Sequence, residues 1–506
     1  MQGLFFFAYQ HIQSSQSLPK FVGFGILGVC NYFQTTFDFI HESNYFYTHS
    51  KAAKPNPAFI IEMTDTCILG SGLTGLVEAW HAHKQGHHIT LFETSPQTGG
   101  VLQSRRVDGY LLDYGANTLS LRSREVSKLL DELGILQKAI DANPEANLRF
   151  IVRGGQLISL PHSPASFLSS SFLSTLGKIR LLLEPLISKG KNSDENVAEF
   201  ISRRLGQEAL TYAGNPFLSG VYAAKPESLS LRYAFPALLE LEQTHGSLFK
   251  GMLKSKKNPN RLPKSRLLSF PNGMQDLTNQ ITEKLPKQSI LLNTRVVRVK
   301  KLEDHWELMT RDQSGKEELN TFRQVVCTLP THQLSKIEWI GIERAEAMDD
   351  LTHSTHFPLA LVFHGYEKQK IKHPLNGFGF LVPEVENRKI LGTLFSSTLF
   401  PDRAPQNHAL LTTFVGGERQ PDLVHLADDD LHALVQKEHR DLLGTIGDPA
   451  FQKIIRWPNA IPLPDHKMGK RKEAAKILVS QNPGLRFSGS HLCGPPLPNC
   501  LQAAMV

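Results

Sequence analysis

The chain has few cysteines, and they follow no pattern. Its 506 residues contain five of them: Cys30, Cys67, Cys327, Cys493 and Cys500. An odd, scattered set excludes a disulfide framework and indicates a reducing compartment, so we expect a cytoplasmic location.

Long apolar runs are absent as well. The apolar stretch Phe21–Cys30 is too short to cross a bilayer as a helix. Residues 1–62 contain no arginine, no basic n-region and no small-residue cleavage site, which argues against both a secretory signal and a mitochondrial transit peptide. Because Met63 leads directly into an apolar strand, we expect translation to begin there and residues 1–62 to be an extension outside the fold. An interfacial membrane anchor is the alternative.

Signatures of nucleic-acid and metal binding are also missing. Without zinc-finger spacing, an RNA-binding signature or a sustained basic helix, the formal net charge of +7 does not predict nucleic-acid binding. It suits an acidic small molecule or an anionic membrane surface. Histidines crowd residues 81–88 without a thiolate or carboxylate cluster, so no metal site is predicted. With 41% hydrophobic residues, the chain is long enough for two or three globular domains.

A glycine motif, Gly70–Gly75, stands between an apolar run and a helical pattern. Residues 66–69 predict a buried strand, the apolar spacing from residue 73 to 80 predicts a helix, and His88–Phe92 predicts a second strand that ends at Glu93. This arrangement is typical of a dinucleotide-binding unit. Its glycines let backbone amides approach a pyrophosphate at the helix N-terminus, and the carboxylate accepts ribose hydroxyls.

The residues that follow indicate FAD rather than NAD. Gly99 and Gly100 come just after the ribose acid, and the stretch 112–118 follows them. Both features resemble the second signature of glutathione-reductase-like and amine-oxidase-like flavoproteins. We therefore predict FAD as the cofactor.

The rest of the chain predicts an α/β protein with a split cofactor domain. Residues 289–299 and 306–308 predict strands of an antiparallel excursion, after which the chain returns to the parallel sheet near residue 324. A last strand is predicted near residue 485. Residues 161–189 form apolar helices that are either a buried subdomain or dip into one leaflet of a membrane. Residues 254–264 are cationic and turn-rich and predict an exposed loop.

Several motifs resemble oxygen-dependent protoporphyrinogen oxidases. The run Asn215–Leu231 carries the resemblance most strongly. Further matches cover residues 269–277, 377–383, 391–405 and 413–417. The resemblance extends from Thr66 to Cys500, and the sequence Gly115-Ala116-Asn117-Thr118 is most similar to the plant-type branch.

The resemblance implies a discontinuous FAD-binding Rossmann-like domain, a mixed-sheet substrate domain and a helical membrane-contacting domain. We expect the FAD-binding parts at residues 63–150, 263–330 and 461–506, the helical domain at 151–262 and the substrate domain at 331–460. Two departures stand out: residues 461–466 lack a tyrosine and a glycine-histidine pair, and the final flavin-facing helix is expected to extend beyond Val506.

The implied activity is the oxidation of protoporphyrinogen IX to protoporphyrin IX in haem biosynthesis. FAD removes six electrons in three cycles, with molecular oxygen as acceptor and hydrogen peroxide as product. The expected location is cytoplasmic, with peripheral association with a membrane. A homodimer and hand-over of the product to a ferrochelatase stay open. Alternatives to this activity also stay open. They are a coproporphyrinogen III oxidase of the same family, another flavin amine oxidase or desaturase, and a flavin-free porphyrin-binding relative.

The resemblance also suggests site residues. Arg149 corresponds to a propionate-binding arginine, and Leu381, Leu394 and Phe414 correspond to positions that sandwich the substrate. No general base is assigned, because the flavin carries the redox chemistry. The motifs and the resemblance together predict FAD contacts at Gly70, Ser71, Gly72, Leu73, Thr74, Gly75, Glu93, Thr94, Gly115, Ala116, Asn117, Thr118, Val296, Pro495, Pro496 and Leu497.

Overall fold

The structure is a computed structural model that describes residues 65–190, 194–254 and 261–505. The predictions for residues 1–62 and for a start at Met63 lie outside the described residues.

A parallel sheet forms the centre of the fold and confirms the predicted strand–helix–strand unit. Its strand order is β10-β2-β1-β14-β21 within the described residues. The strands are β1 (Asp65–Leu69), β2 (His88–Phe92), β10 (Ile290–Leu291), β14 (Gln324–Cys327) and β21 (Leu485–Phe487). In β1, Ile68 enters one apolar core while Cys67 and Leu69 enter another, because helices or strands cover both faces of the sheet.

Helices on one side of this sheet pack against the helix that follows the glycine motif. That helix is α1 (Leu73–Lys84), and α11 (Gln275–Glu283) and α18 (Leu497–Ala503) contact it. Helix α2 (Arg124–Glu132) packs against α18. This layer therefore joins both ends of the described chain.

The predicted antiparallel excursion is confirmed for β11 (Thr294–Lys301) and β12 (Trp306–Asp312). It is wrong for residues 290–291, which pair in parallel with β2, and β13 (Glu317–Phe322) was not predicted. Strands β11, β12 and β13 pair in antiparallel order, and the chain then enters β14, which pairs in parallel with β1. Strand β15 (Glu338–Ile340) lies parallel to β11. Nearby helices are α12 (Thr331–Leu334), α13 (Ala347–Thr352), α16 (Met468–Gln481) and α17 (Ser490–Cys493).

A larger mixed sheet has the strand order β20-β16-β19-β18-β17-β7-β8 in the part of the chain that the structure describes. Its strands are β7 (Leu148–Arg153), β8 (Gln156–Ser159), β16 (Leu359–Glu367), β17 (Gly377–Leu381), β18 (Gly392–Phe395), β19 (His408–Gly416) and β20 (Phe451–Trp457). Helix α14 (Ser396–Leu399) follows β18, and α15 (Asp428–Leu443) contributes to the core on one face.

Two small sheets connect these layers. One pairs β3 (Ser104–Val107) with β4 (Tyr110–Asp113). The other has β9 (Arg261–Ser269) between β5 (Leu119–Ser123) and β6 (Ile140–Asp141). The predicted loop at residues 254–264 is therefore wrong from Arg261 onward, because pairing with β5 outweighs the weak strand propensity of a cationic segment.

Short helices surround a separate apolar core between residues 164 and 254. They are α3 (Pro164–Ser169), α4 (Thr175–Leu182), α5 (Val197–Leu205), α6 (Gln207–Ala209), α7 (Asn215–Tyr222), α8 (Leu231–Ala234), α9 (Pro236–His245) and α10 (Leu248–Lys254). Phe167, Phe172 and Leu181 enter this core. Among the described residues, no helix has both the length and the apolar character needed to cross a bilayer.

Buried histidines join α15 to the large sheet. His439 is fully buried, and its Nε2 lies 2.8 Å from Thr413 Oγ1. Its Nδ1 lies 3.4 Å from Nδ1 of His364, whose Nε2 lies 3.0 Å from Nδ1 of His432. Burial lowers the pKa of His439 to about 3.

Acid should therefore destabilise the protein. Below pH 6.5 the unfolded chain protonates His439 while the folded chain does not, so stability falls as the pH falls. Between pH 6.5 and pH 5, this group alone contributes a loss of about 2 kcal/mol. Urea unfolding at pH 6.5 and pH 5 should show a correspondingly smaller loss of unfolding free energy for His439→Gln than for the wild type. His83→Gln, an exposed matched control, should keep the full loss. Equal losses in His439→Gln and the wild type would contradict this account.

Candidate active site

The glycine motif forms the turn between β1 and α1. A Cβ added at Gly75 would lie 1.9 Å from the carbonyl oxygen of Gly70, so only glycine allows helix and strand to approach this closely. Gly72 caps the N-terminus of α1, and a Cβ added there would meet no atom within 4 Å. The motif therefore combines one glycine that the fold requires with one that borders open space.

Glu93 closes the turn from the end of β2. Its Oε2 accepts hydrogen bonds from the backbone N–H (3.0 Å) and the hydroxyl (2.6 Å) of Ser71. Its Oε1 accepts one from the backbone N–H of Ser95 at 2.8 Å and one from the Thr94 hydroxyl at 3.3 Å. The carboxylate is thus held beside the glycine motif, as its predicted contact with a ribose requires.

The glycine pair Gly99–Gly100 lies directly against the glycine motif Gly70–Gly75. The backbone N–H of Gly99 donates to the carbonyl of Ser71 at 2.9 Å. A Cβ added at Gly100 would lie 3.1 Å from the Cα of Gly72. The sequence signal that separated FAD from NAD therefore corresponds to a direct backbone contact between the two segments.

The segment Gly115–Thr118 continues this surface. A Cβ added at Gly115 would lie 2.1 Å from the carbonyl oxygen of Val101, just after the second glycine pair. Asn117 is buried, and the hydroxyl of Thr118 is buried without a hydrogen-bond partner among the residues that the structure describes. A buried polar atom of this kind fits a site that a polar ligand completes.

The remaining predicted cofactor residues border the same edge of the parallel sheet. Val296 lies at an irregularity in β11, near Thr294, whose N–H donates to the carbonyl of Glu93 at 2.8 Å. Leu497 begins α18 and shares an apolar core with Leu73 of α1. Pro495 and Pro496 directly precede it.

These observations fit FAD. The glycine turn leaves space at Gly72, and Glu93 lies at the end of β2. The glycine pair Gly99–Gly100 and the segment Gly115–Thr118 extend the same surface. The individual FAD contacts at these residues stay a prediction.

The four predicted substrate residues share one face of the large sheet. In the strand register Arg149, Gly379 and Leu394 form one cross-strand row. Leu381, Gly392 and Phe414 form the next row. Directly paired residues, and residues two apart along a strand, point to the same side. On this face Arg149 is buried among apolar side chains, while Arg153 is half-buried and Lys453 is exposed.

Arg149 is a buried cation. Its Nη1 donates to the carbonyl of Asn147 at 3.1 Å, and its guanidinium lies 5.0 Å from the ring centre of Phe378. Burial lowers its pKa to about 9, so it stays charged at neutral pH. A carboxylate beside it would offset part of the cost of burying that charge.

The run Asn215–Leu231 positions this face. A Cβ added at Gly220 in α7 would lie 2.7 Å from Cδ2 of Leu381, so the helix packs directly on the predicted substrate residue. Asn215 accepts a hydrogen bond from the N–H of Glu384 and donates one to its carboxylate, at 3.0 and 3.1 Å. Arg419 donates to Asn215 at 2.9 Å.

A cavity connects the sheet face to the predicted cofactor segment. Asn117 and Leu394 both line it. Its other lining residues are Leu111, Asp113, Ser396, Leu399, Phe400, Arg403 and Thr412. The structure therefore brings predicted cofactor and substrate residues into one space.

An ion pair that the sequence did not predict borders this cavity. Arg403 Nη2 lies 3.2 Å from Asp113 Oδ2, and both side chains are buried. The hydroxyl of Ser104 donates to Asp113 at 2.6 Å. Asp113 stands in the conspicuous stretch 112–118, but nothing in the sequence identifies a partner 290 positions away. The cross-strand glycines Gly379 and Gly392 were missed as well.

The fold and the site define a flavin-dependent oxidoreductase. A family model of flavin containing amine oxidoreductases matches residues 73–502, and the chain belongs to this family. Its cofactor is FAD, and the α/β fold class is confirmed.

Two relatives and one solved structure match most of the chain. The chain is 33% identical to the mitochondrial protoporphyrinogen oxidase of Nicotiana tabacum, over 84% of this chain and 90% of that protein. It is 24% identical to the coproporphyrinogen III oxidase of Bacillus subtilis, over 86% and 95%. A solved protein of Exiguobacterium sp. 255-15, provisionally named protoporphyrinogen oxidase, matches with a TM-score of 0.73 at 23% identity, over 87% of this chain and 97% of that one.

Proposed function

We propose that the protein oxidises protoporphyrinogen IX to protoporphyrin IX, with molecular oxygen as the electron acceptor and hydrogen peroxide as the product. The observation that carries the proposal is the sheet face on which Arg149 is buried among apolar side chains. Leu394 of this face and Asn117 of the predicted flavin segment line one cavity. The 33% identity to the tobacco enzyme supports the same substrate.

This face suits a reduced tetrapyrrole. The macrocycle is large and apolar, and its propionates are acidic, so a site for it needs apolar walls and a cation. Leu381, Leu394 and Phe414 supply apolar surface, and Gly379 and Gly392 leave two positions between them without side chains. Arg149 would bind a propionate through its planar fork of N–H donors.

The residues around the glycine motif would hold FAD, which, when bound, accepts two electrons from the substrate and passes them to oxygen. Backbone amides at Gly70–Gly75 would bind the pyrophosphate, and Glu93 would accept hydrogen bonds from the ribose. Thr118, with its buried hydroxyl, would complete its hydrogen bonding with the cofactor. The cavity at Asn117 and Leu394 would bring the substrate to the flavin ring and exclude water.

Anaerobic mixing tests this function. Protoporphyrinogen IX should bleach the yellow flavin of the purified protein, and oxygen should then restore the colour with formation of porphyrin and peroxide. Persistent yellow colour with every porphyrinogen would contradict the proposal and favour an amine oxidase or desaturase. A protein that turns over coproporphyrinogen III and not protoporphyrinogen IX would shift the assignment to the alternative oxidase of the same family.

The proposal includes the domain layout expected from the sequence. FAD-binding parts at residues 63–150, 263–330 and 461–506 would support a substrate domain at 331–460 and a helical domain at 151–262. Strands β7 and β8 extend the sheet that also contains β16–β20, so the substrate surface includes part of the chain before residue 160.

We also propose that the helical part contacts a membrane surface. Exposed apolar side chains concentrate on and after α3 and α4, and Leu253 follows on α10, which contacts the turn Glu184–Leu186. This apolar patch consists of Leu168, Leu176, Ile179, Leu182, Leu183, Leu186 and Leu253. Leu176 is 79% exposed and Leu186 is 77% exposed. Lys250 and Lys254 are exposed nearby and suit anionic headgroups.

Vesicle sedimentation tests this contact. The double variant Leu176→Glu, Leu186→Glu should bind anionic phospholipid vesicles at least about tenfold more weakly, since two exposed leucines lose their apolar contact. The control Leu319→Glu changes a leucine that is 51% exposed on β13, far along the chain from the patch, and should bind like the wild type. Equal binding of all three proteins would contradict the membrane proposal. Pairing of two chains and hand-over of the product to a ferrochelatase remain further proposals that rest on this function.

A further inference from the structure

Two thiols face each other across the C-terminal turn of the fold. Cys493 is the last residue of α17, and Cys500 lies within α18. Their Sγ atoms are 3.9 Å apart, and neither is in a disulfide. The segment between them carries Pro495, Pro496 and Leu497.

The local backbone holds the two sulfur atoms on one side of this turn. The side-chain amide of Asn499 donates through Nδ2 to the carbonyl of Cys493 at 3.0 Å and ties the two ends together. The carbonyl oxygen of Gly494 lies 3.5 Å from Sγ of Cys493 and 3.7 Å from Sγ of Cys500. A disulfide needs a sulfur separation of about 2 Å, so a movement of about 1 Å at each side chain closes the gap.

The pair is also chemically asymmetric. Cys500 accepts the hydrogen bond of the Cys493 thiol and a second one from Thr74, and these bonds lower its pKa. The same pairing, together with burial, raises the pKa of Cys493. Because the thiolate is the nucleophile, Cys500 is suited to react first and Cys493 to follow.

The other described cysteines lack these features. Cys67 and Cys327 lie in the adjacent strands β1 and β14, but Cys67 pairs with Val325 and Cys327 with Leu69, so the two are offset along the strands. Burial raises the pKa of Cys327 to about 12 and that of Cys67 well above its usual range.

We propose that Cys493 and Cys500 form a redox-sensitive dithiol that hydrogen peroxide oxidises to an intramolecular disulfide. The Cys500 thiolate attacks one peroxide oxygen; an S–O bond forms, the O–O bond breaks, and hydroxide leaves as water after it takes up a proton. The Cys493 thiol then attacks the sulfenic sulfur; the S–S bond forms, the S–O bond breaks, and a second water leaves. Two thiols and one peroxide thus give one disulfide and two waters.

Peptide mapping of peroxide-treated holoprotein tests this site. Added hydrogen peroxide is the probe, so the result does not depend on whether the protein turns over a porphyrinogen. Trypsin leaves both cysteines in one peptide, residues 487–506, because no lysine or arginine follows Arg486. The expected product is this peptide with an internal disulfide, lighter by about 2 Da than its dithiol form. Dithiothreitol should restore both thiols, and Cys67 and Cys327 should stay alkylatable only after denaturation.

Single substitutions separate a dithiol from two unrelated thiols. In Cys493→Ser, Cys500 should accumulate as a sulfenic acid that dimedone traps, because its partner is missing. In Cys500→Ser, Cys493 should react at least tenfold more slowly with peroxide. The proposal is overturned if both wild-type thiols stay free after peroxide treatment, or if either one proceeds to a sulfinic acid without linking to the other.

Discussion

Gly72→Asp should purify without yellow colour and without activity, while its FAD-free form unfolds at the same temperature as FAD-free wild-type protein. The backbone at Gly72 has φ −65° and ψ 176°, which any residue adopts, and an added Cβ meets no atom within 4 Å. The fold therefore tolerates a side chain here. A carboxylate placed about 4 Å from a pyrophosphate near a protein surface costs about 4 kcal/mol, which weakens FAD binding about a thousandfold.

Gly75, in the same motif, provides a contrasting variant. In Gly75→Ala the new Cβ would lie 1.9 Å from the backbone oxygen of Gly70, so this variant should lose stability even without FAD. Gln313→Asp adds the same carboxylate at an exposed turn and should keep both colour and stability. FAD content by absorbance and thermal unfolding of the FAD-free proteins give the two readouts. A yellow Gly72→Asp protein would rule out FAD binding at this turn, and a destabilised FAD-free form would make Gly72 a structural glycine.

The cofactor half of the fold could be predicted because its signals are local. The glycine motif, the helical spacing after it and the acid at the end of β2 lie within about thirty residues, and each part needs only its neighbours to form. Strands β11 and β12 were predictable for the same reason, since apolar residues mark each of them. Strand β13 has no such pattern and was not predicted.

The substrate face could not be assembled from sequence alone. Arg149 lies next to Gly379 and Leu394 only because β7 pairs with β17, more than two hundred residues away, across an irregular register. The glycines of β17 also interrupt the alternation that marks a strand. The resemblance named Arg149, Leu381, Leu394 and Phe414, and the structure adds that they share one face.

Two further features depended on tertiary contacts. Strand β9 contains Lys264 and Arg266 and follows a turn-rich segment, so its sequence favours a loop, and its pairing with β5 decides otherwise. The buried pair of Asp113 and Arg403 joins segments that are separate in sequence. Neither feature has a local pattern that sequence analysis can detect.

Arg149→Leu should raise the KM for protoporphyrinogen IX and lower kcat/KM about 10- to 100-fold, with FAD content unchanged. A hydrogen bond to a charged group contributes about 1.5–3 kcal/mol, which corresponds to this range. Arg149→Lys keeps the charge and loses the planar fork, so it should recover only part of the loss. Arg311→Leu, which removes an exposed strand arginine, is the matched control and should behave like the wild type.

A substrate without carboxylates makes the test specific. The dimethyl ester of protoporphyrinogen IX cannot pair with a guanidinium, so the wild-type enzyme should lose about as much kcat/KM on the ester as Arg149→Leu loses on the acid. Arg149→Leu should then lose little more when it is given the ester, because one interaction accounts for both losses. Should the substitution reduce turnover of the ester as strongly as that of the acid, Arg149 would support the packing against Phe378 rather than bind a propionate.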